Sequence, residues 1–169
     1  MPARTIKKTL LLGIGNILLS DEGLGVRAIE SVREGYDLPK GVECLDGGVA
    51  GLSLLPAIEA SGHLIIIDAL VSDRPPGTLE RVEWGKAKEA KASALAATAH
   101  QIGARELLAL AEFEGRLPPT VIIGMVPLDT APGSVLSSLV SAAMPRLVAA
   151  IIGELERFGH RIKKRRTHA

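Results

Sequence analysis

Only one cysteine, Cys44, occurs in the 169 residues, so no disulfide can form within the chain and a small scaffold stapled by bridges is excluded. A reducing compartment, the cytoplasm, is the expectation. Aromatic residues are nearly as scarce: Tyr36, Trp84, Phe113 and Phe158 complete the set. A net positive charge is missing from the body as well. The formal net charge is +1, but Arg161, Lys163, Lys164, Arg165 and Arg166 contribute five positives, so that everything before Arg161 sums to −4. A surface that tracks phosphates and stacks bases needs clustered Lys and Arg with aromatics among them, and both shortages argue against nucleic acid as a partner. The basic stretch 161–169 is expected to be a disordered, solvated end. No apolar run reaches the length of a membrane-spanning helix, so no membrane insertion is expected. Lys7-Lys8 ahead of an apolar run imitates the opening of a secretion signal, but Gly13, Gly15 and Asn16 interrupt that run and no small-x-small cleavage site follows, which leaves a core strand.

What the chain does have is aliphatic bulk and 18 glycines, enough for one domain with a full core over residues 1–160. Aliphatic, glycine-rich composition at this length suits an α/β fold, a parallel sheet wrapped by helices. The stretch from Leu10 to Gly25, LLLGIGNILLSDEGLG, organises the rest. Leu10-Leu11-Leu12 reads as a strand buried on both faces and ends at a glycine-bearing turn. Ser20 then reads as an N-cap for a helix over 21–33, with Asp21 and Glu22 in the first turn where the helix dipole favours negative charge. Those acids either cap the helix or present a carboxylate at a strand-turn-helix junction, where open α/β sheets place ligands. Gly13-x-Gly15 is half of a dinucleotide fingerprint, but Leu18 stands where the third glycine belongs.

A second strand, Val42 to Leu45, ends at Asp46-Gly47-Gly48, with Cys44 on its packed face. A short helix from Leu54 to Ala60 takes Ser53 as N-cap and Pro56 in its first turn. His63 to Ile67 is too continuously apolar to face water and must be a central strand; Asp68 closes it, as a turn cap or as a group in the ligand crevice. Thr78 to Trp84 alternates as an edge strand does, while Lys86 to Ala97 reads equally as loop or weak helix. Thr98 caps a helix to Glu112 with His100 in its first turn, where the dipole disfavours the charged imidazole and leaves a neutral nitrogen able to bind metal or accept a proton. Val121 to Val126 is the last strand. The final helix carries Val135, Leu139, Ala143, Leu147, Ile151 and Leu155 at helical spacing, with Pro145 expected to kink it or divide it in two.

In a parallel sheet Asp46, Asp68 and the turn bearing Glu22 gather on one edge, within reach of His100 at a helix start. Carboxylates plus an imidazole make a mixed O/N site suited to zinc, nickel or a similar divalent ion. Other hydrolytic schemes fare worse. Gly51-Leu52-Ser53 opens like a nucleophile elbow without its closing glycine, no HExxH helix is present, and a Cys44 nucleophile would sit inside a strand.

The run Gly13-Ile14-Gly15-Asn16-Ile17-Leu18-Leu19-Ser20-Asp21-Glu22-Gly23-Leu24-Gly25 resembles the N-terminal signature of the hydrogenase maturation proteases. The likeness continues through Leu45-Asp46-Gly47-Gly48, His63 to Ala69, Pro76-Gly77-Thr78, His100-Gln101-Ile102-Gly103 and Gly124-Met125-Val126-Pro127. It departs at Val49 and Ala99, where threonine and proline are usual. The resemblance implies a three-layer sandwich with a mostly parallel, twisted sheet of about five strands. It implies an aspartyl-type endopeptidase that trims the C-terminal extension of a nickel-iron hydrogenase large-subunit precursor. Glu22, Asp68 and His100 match the family's metal ligands and Asp46 an acid beside them. The nickel is expected to arrive inside the precursor, with zinc or cadmium able to stand in for it in vitro, and the enzyme is expected to be a monomer. Two other classes stay open: a peptidyl-tRNA hydrolase-like enzyme, since Gly13-Ile14-Gly15-Asn16 echoes that opening, and a non-catalytic nickel-dependent assembly chaperone.

Overall fold

Residues 7–89 and 104–166 are described by the structure, a computed structural model. In chain order the strands are β1 (Thr9–Ile14), β2 (Tyr36–Asp37), β3 (Val42–Gly48), β4 (His63–Ala69), β5 (Leu79–Glu83), β6 (Thr120–Met125) and β7 (Lys163–Lys164). The α-helices are α1 (Leu24–Gly35), α2 (Leu55–Ala60), α3 (Trp84–Glu89), α4 (Ala104–Phe113) and α5 (Ser138–Arg157). Five strands form the main sheet in the order β3-β1-β4-β6-β5, parallel except for β5 at the edge.

Side chains alternate across this sheet, and because both faces are covered both sets are apolar. Leu11, Ile65, Ile67 and Ile123 pack under α1 and α5, whereas Leu10, Leu12, Leu64, Ile66 and Ile122 pack under α2, α4 and Trp84. The result is the three-layer α/β sandwich expected, with the isoleucine strand β4 at its centre. Cys44 lies on the α1/α5 face as expected, and burial pushes its thiol up to about 11, so it is an inert packing group. Chain order along the sheet reverses at β1, which has β3 on one side and β4 on the other. The crevice between β1 and β4 is therefore the switch point, where α/β sheets leave an opening between loops that run off to opposite faces.

Several local expectations are corrected. The helix through Pro145 is a single element of 20 residues. Pro145 lies on its exposed side, so the carbonyl it leaves unpaired can be hydrated and need not break the helix. Ser137 caps it, accepting from the Val140 N–H at 3.3 Å. The apolar stripe is buried only from Ala143 onward, since Val135 precedes the helix and is 75% exposed and Leu139 is 42% exposed. By length and composition α5 is apolar enough to cross a membrane, contrary to the expectation that nothing is, but Val140, Leu147, Ile151 and Leu155 are fully buried in this core. Ser53 caps nothing; its hydroxyl donates to the Ala50 carbonyl in a 3-10 turn over Gly51–Leu54. Trp84 begins α3 instead of ending β5.

The basic end is not simply solvated either. Lys163–Lys164 pair antiparallel with Tyr36–Asp37, Arg165 donates to the Gly35 carbonyl at 2.8 Å, and its guanidinium meets Asp37 at 2.8 Å. Exposed backbone at the end of α1 supplies the partner that composition cannot reveal. Most of 86–97, beyond the α3 residues, and the helix start expected at Thr98 lie outside the described residues.

Candidate active site

The turn after β1 is built to bring Glu22 over the switch point. Gly15 has φ +136°, open to glycine alone in practice, and a Cβ there would stand 1.8 Å from the Glu22 carbonyl oxygen. Ten residues on, a Cβ on Gly25 would lie 2.3 Å from the carbonyl oxygens of both Ile14 and Ile67. The two glycines thus let the start of α1 settle directly onto the carboxyl ends of β1 and β4. Their spacing serves this close approach and not a dinucleotide.

Ser20 is not the N-cap expected. It has φ +49° and opens a 3-10 turn, Ser20–Gly23, its hydroxyl donating to the Ala131 carbonyl at 2.9 Å. Asp21 is fully buried. Its carboxylate accepts from the N–H groups of Leu128 (2.9 Å), Asp129 (3.0 Å) and Ser137 (2.7 Å) and from the Ser137 hydroxyl (2.8 Å). Burial opposes the charge, but these donors outweigh it and hold the carboxyl below its ordinary 3.8. Backbone bonds complete the seam: Ser20 N–H to Gly133, Asp21 N–H to Asp129 and Gly133 N–H to Leu18. Asp21 is therefore a fastener, joining the first turn to the loop that leads into α5. The sequence gives no local sign of this, because its partners lie 107 to 116 residues away.

Glu22, next in the chain, is half-buried on a turn that this fastening holds still. Across the crevice Asp68 occupies the carboxyl end of β4 and accepts from the Ala69 N–H at 2.8 Å. Its pKa is pushed up to about 8, chiefly by burial, with the neighbouring Glu22 charge adding to the rise and the Ala69 hydrogen bond opposing it. No cation among the described residues offsets either acid. Two neighbouring carboxylates, one of them desolvated, favour a proton or a multivalent cation between them. Oxygen donors of this kind fit a divalent ion when an imidazole joins them.

Asp46 also stands on this edge, in register with Gly13. Alternation places it with Cys44 on the α1/α5 face, one strand beyond the crevice, and it is exposed. Glu22 and Asp68 are brought together; Asp46 is at the margin. His100 lies outside the described residues, so the third expected ligand is not placed. Among the described residues no group of three acids, histidines or cysteines converges as a metal centre. The other described histidines lie at the opposite end of the sheet, His63 stacked on Phe158 at 4.2 Å and His160 sharing a 2.7 Å hydrogen bond with Thr9.

Known proteins can now be set beside this geometry. A family model described as hydrogenase maturation protease matches residues 26–154. The Hydrogenase 2 maturation protease of Escherichia coli strain K12 is 35% identical over 154 residues, covering 90% of this chain and 93% of its own length. The hydrogenase expression/formation protein HupD of Rhizobium leguminosarum bv. viciae is 37% identical over 157 residues, 90% of this chain and 76% of that one. Among solved structures, the hydrogenase maturating endopeptidase HybD from E. coli superposes with a TM-score of 0.84 at 33% identity, covering 94% of this chain and 98% of the other. The fold, the family model and relatives matched over three quarters or more of their own length agree: the chain belongs to the hydrogenase maturation protease family and is a peptide hydrolase.

Proposed function

We propose that this protein is the endopeptidase that removes the C-terminal extension of a nickel-iron hydrogenase large-subunit precursor once nickel is in place, and that it recognises the nickel carried by that substrate. The observation that supports this most is the pairing of Glu22 with Asp68 at the switch point, two acids with no cation of their own among the described residues. A substrate-borne divalent ion relieves their repulsion only when the loaded precursor docks, so recognition and loading become one test. Glu22, Asp68 and His100 are the ligands offered to that ion, and Asp46 an acid at the edge of the same site.

Docking the ion fixes the scissile bond beside the carboxylates, which lowers the entropic part of the barrier. Hydrolysis then requires one water: its oxygen adds to the scissile carbonyl carbon, the C–N bond breaks, and the water's proton ends on the leaving amine. A carboxylate of aspartyl type can carry that proton between the two. The enzyme acts in the cytoplasm as a monomer, needing no resident metal, and zinc or cadmium can stand in for nickel in vitro.

Purified Glu22→Gln, Asp68→Asn and His100→Ala variants, each checked for an unchanged fold, are expected to leave nickel-loaded precursor uncut, while wild-type protein releases a C-terminal fragment. The same wild-type protein is expected to leave nickel-free precursor intact. Normal cleavage by all three variants rules the site out, and absence of any fragment with wild type rules out the protease reading in favour of an assembly chaperone.

A further inference from the structure

Exposed apolar side chains are unevenly spread over this molecule. Nine large ones are exposed among the described residues: six lie on loops at the carboxyl edge of the sheet, Leu52 on the 3-10 turn that follows β3 and Leu139 on the first turn of α5, while Phe113 ends α4 at the opposite edge. Single exposed leucines need no explanation, but these sit on loops tied to one another. Leu18 (65% exposed) follows β1, and its carbonyl accepts from Gly133, two residues before Val135 (75%). Leu128 (54%) follows β6 and is held by Asp21. Val49 and Leu52 follow β3, whose Gly48 carbonyl accepts from Gly15 at the base of the Leu18 loop. These loops follow β1, β3 and β6 and so border the crevice that holds Glu22 and Asp68.

We propose that this apolar ring is the docking surface for the folded body of the hydrogenase precursor, not a grip on its extension alone. The inference rests on the function proposed above and adds the surface by which the partner is held. Two features point to that occupant. The ring is continuous with the site where a peptide hydrolase must meet its substrate, and its centre is acidic while its rim is apolar. The complement of that pattern is an apolar face around a cation, which calls for a folded, metal-loaded partner and not for a free peptide. Burying the rim supplies affinity without consuming the carboxylates, and the fastening of Leu128 and the Val135 loop to Asp21 keeps the rim preformed.

The test uses the full chain with Leu18→Asp and Val135→Asp, both exposed and outside the carboxylate pair, and Phe113→Asp as a control at the opposite end. Binding to purified nickel-loaded precursor and cleavage of it are measured separately. The expected result is a loss of affinity of at least about ten-fold, and a matching rise in KM at unchanged kcat, for the two rim variants, with neither change for Phe113→Asp. Cleavage by the rim variants at wild-type KM and affinity overturns the docking surface while leaving the protease reading standing. Equal losses for Phe113→Asp also overturn it. Sedimentation showing a wild-type dimer that the rim variants abolish assigns the ring to a second copy of this chain, and overturns it too. Wild-type protein that binds precursor through the ring without cutting it keeps the docking surface and fails only the activity.

Discussion

The two ends of the sheet are built on opposite principles. Toward the amino end of the parallel strands, the buried charge is matched: Glu154, 3% exposed, takes two hydrogen bonds from the Arg81 guanidinium at 2.7 and 2.8 Å, and buried His160 meets Thr9, although the Nδ1 of His63 is buried there without a hydrogen-bond partner. At the carboxyl end Glu22 and Asp68 are neighbours with no cation beside them among the described residues, bordered by exposed leucine and valine. Matched charges in a partly dry setting serve the fold, whereas unmatched charges cost stability and persist where binding or catalysis uses them. Asp21 is the instructive intermediate. It belongs to the carboxyl end by position and to the other by chemistry, since four donors satisfy it.

Substitutions should separate these roles, and the largest effect falls at the unmatched pair. Asp68→Asn is expected to abolish processing and yet stabilise the protein. The folded pKa of about 8 lies above the ordinary 3.8, so the stability Asp68 contributes is complete below about pH 4 and is lost as pH rises through about 8. Asparagine has no proton to lose. The melting temperature of the variant should therefore draw ahead of wild type between pH 4 and 8 and level off above, by about 1–3 kcal/mol in stability. A gap that does not vary with pH would place Asp68 in the matched class and break the comparison.

Asp21→Ala should move the other way. Removing the acceptor strands buried donors, each worth about 1–3 kcal/mol and not fully additive, for a loss of about 3–5 kcal/mol and roughly 10 °C in melting temperature. Because the folded pKa lies below 3.8, this contribution is complete above that value and fades as pH falls through the folded one. The gap from wild type should close only in acid, which chemical denaturation at pH 7 and pH 3 can follow. The smallest effect is expected from deleting residues 163–169. That removes a two-residue ladder and the exposed Arg165–Asp37 pair, at a cost below about 1 kcal/mol and with processing unchanged. A larger loss would show that the amino end relies on its ordered tail.

How far the sequence reached differs between residue types for physical reasons. The runs at Leu10–Leu12, His63–Ile67 and Val121–Val126 are legible because a strand buried on both faces admits nothing but apolar side chains. Asp68 was legible by being the first charge after such a run. Ser20 and Ser53 mislead because a serine before an acid or proline satisfies the same local rule in a cap and in a 3-10 turn. Only the loops that approach them decide between the two. Of the two outcomes expected at Pro145, division of the helix does not occur, because whether a proline divides a helix depends on whether its unpaired carbonyl meets water or core.

Local pattern alone determined the strands, the order in which carboxylates follow them and the resemblance carried by the glycine turns, since each depends on residues adjacent in the chain. Tertiary structure alone decided that Asp21 is a buried fastener while Glu22 beside it stays half-buried, that Asp46, expected on the same edge as Glu22 and Asp68, stands one strand beyond their crevice, and that exposed leucines and valines from separate loops are tied together there. Those outcomes depend on groups tens of residues or more apart, where the reversal of strand order at β1 brings them together. Neighbours in sequence carry no record of that distance.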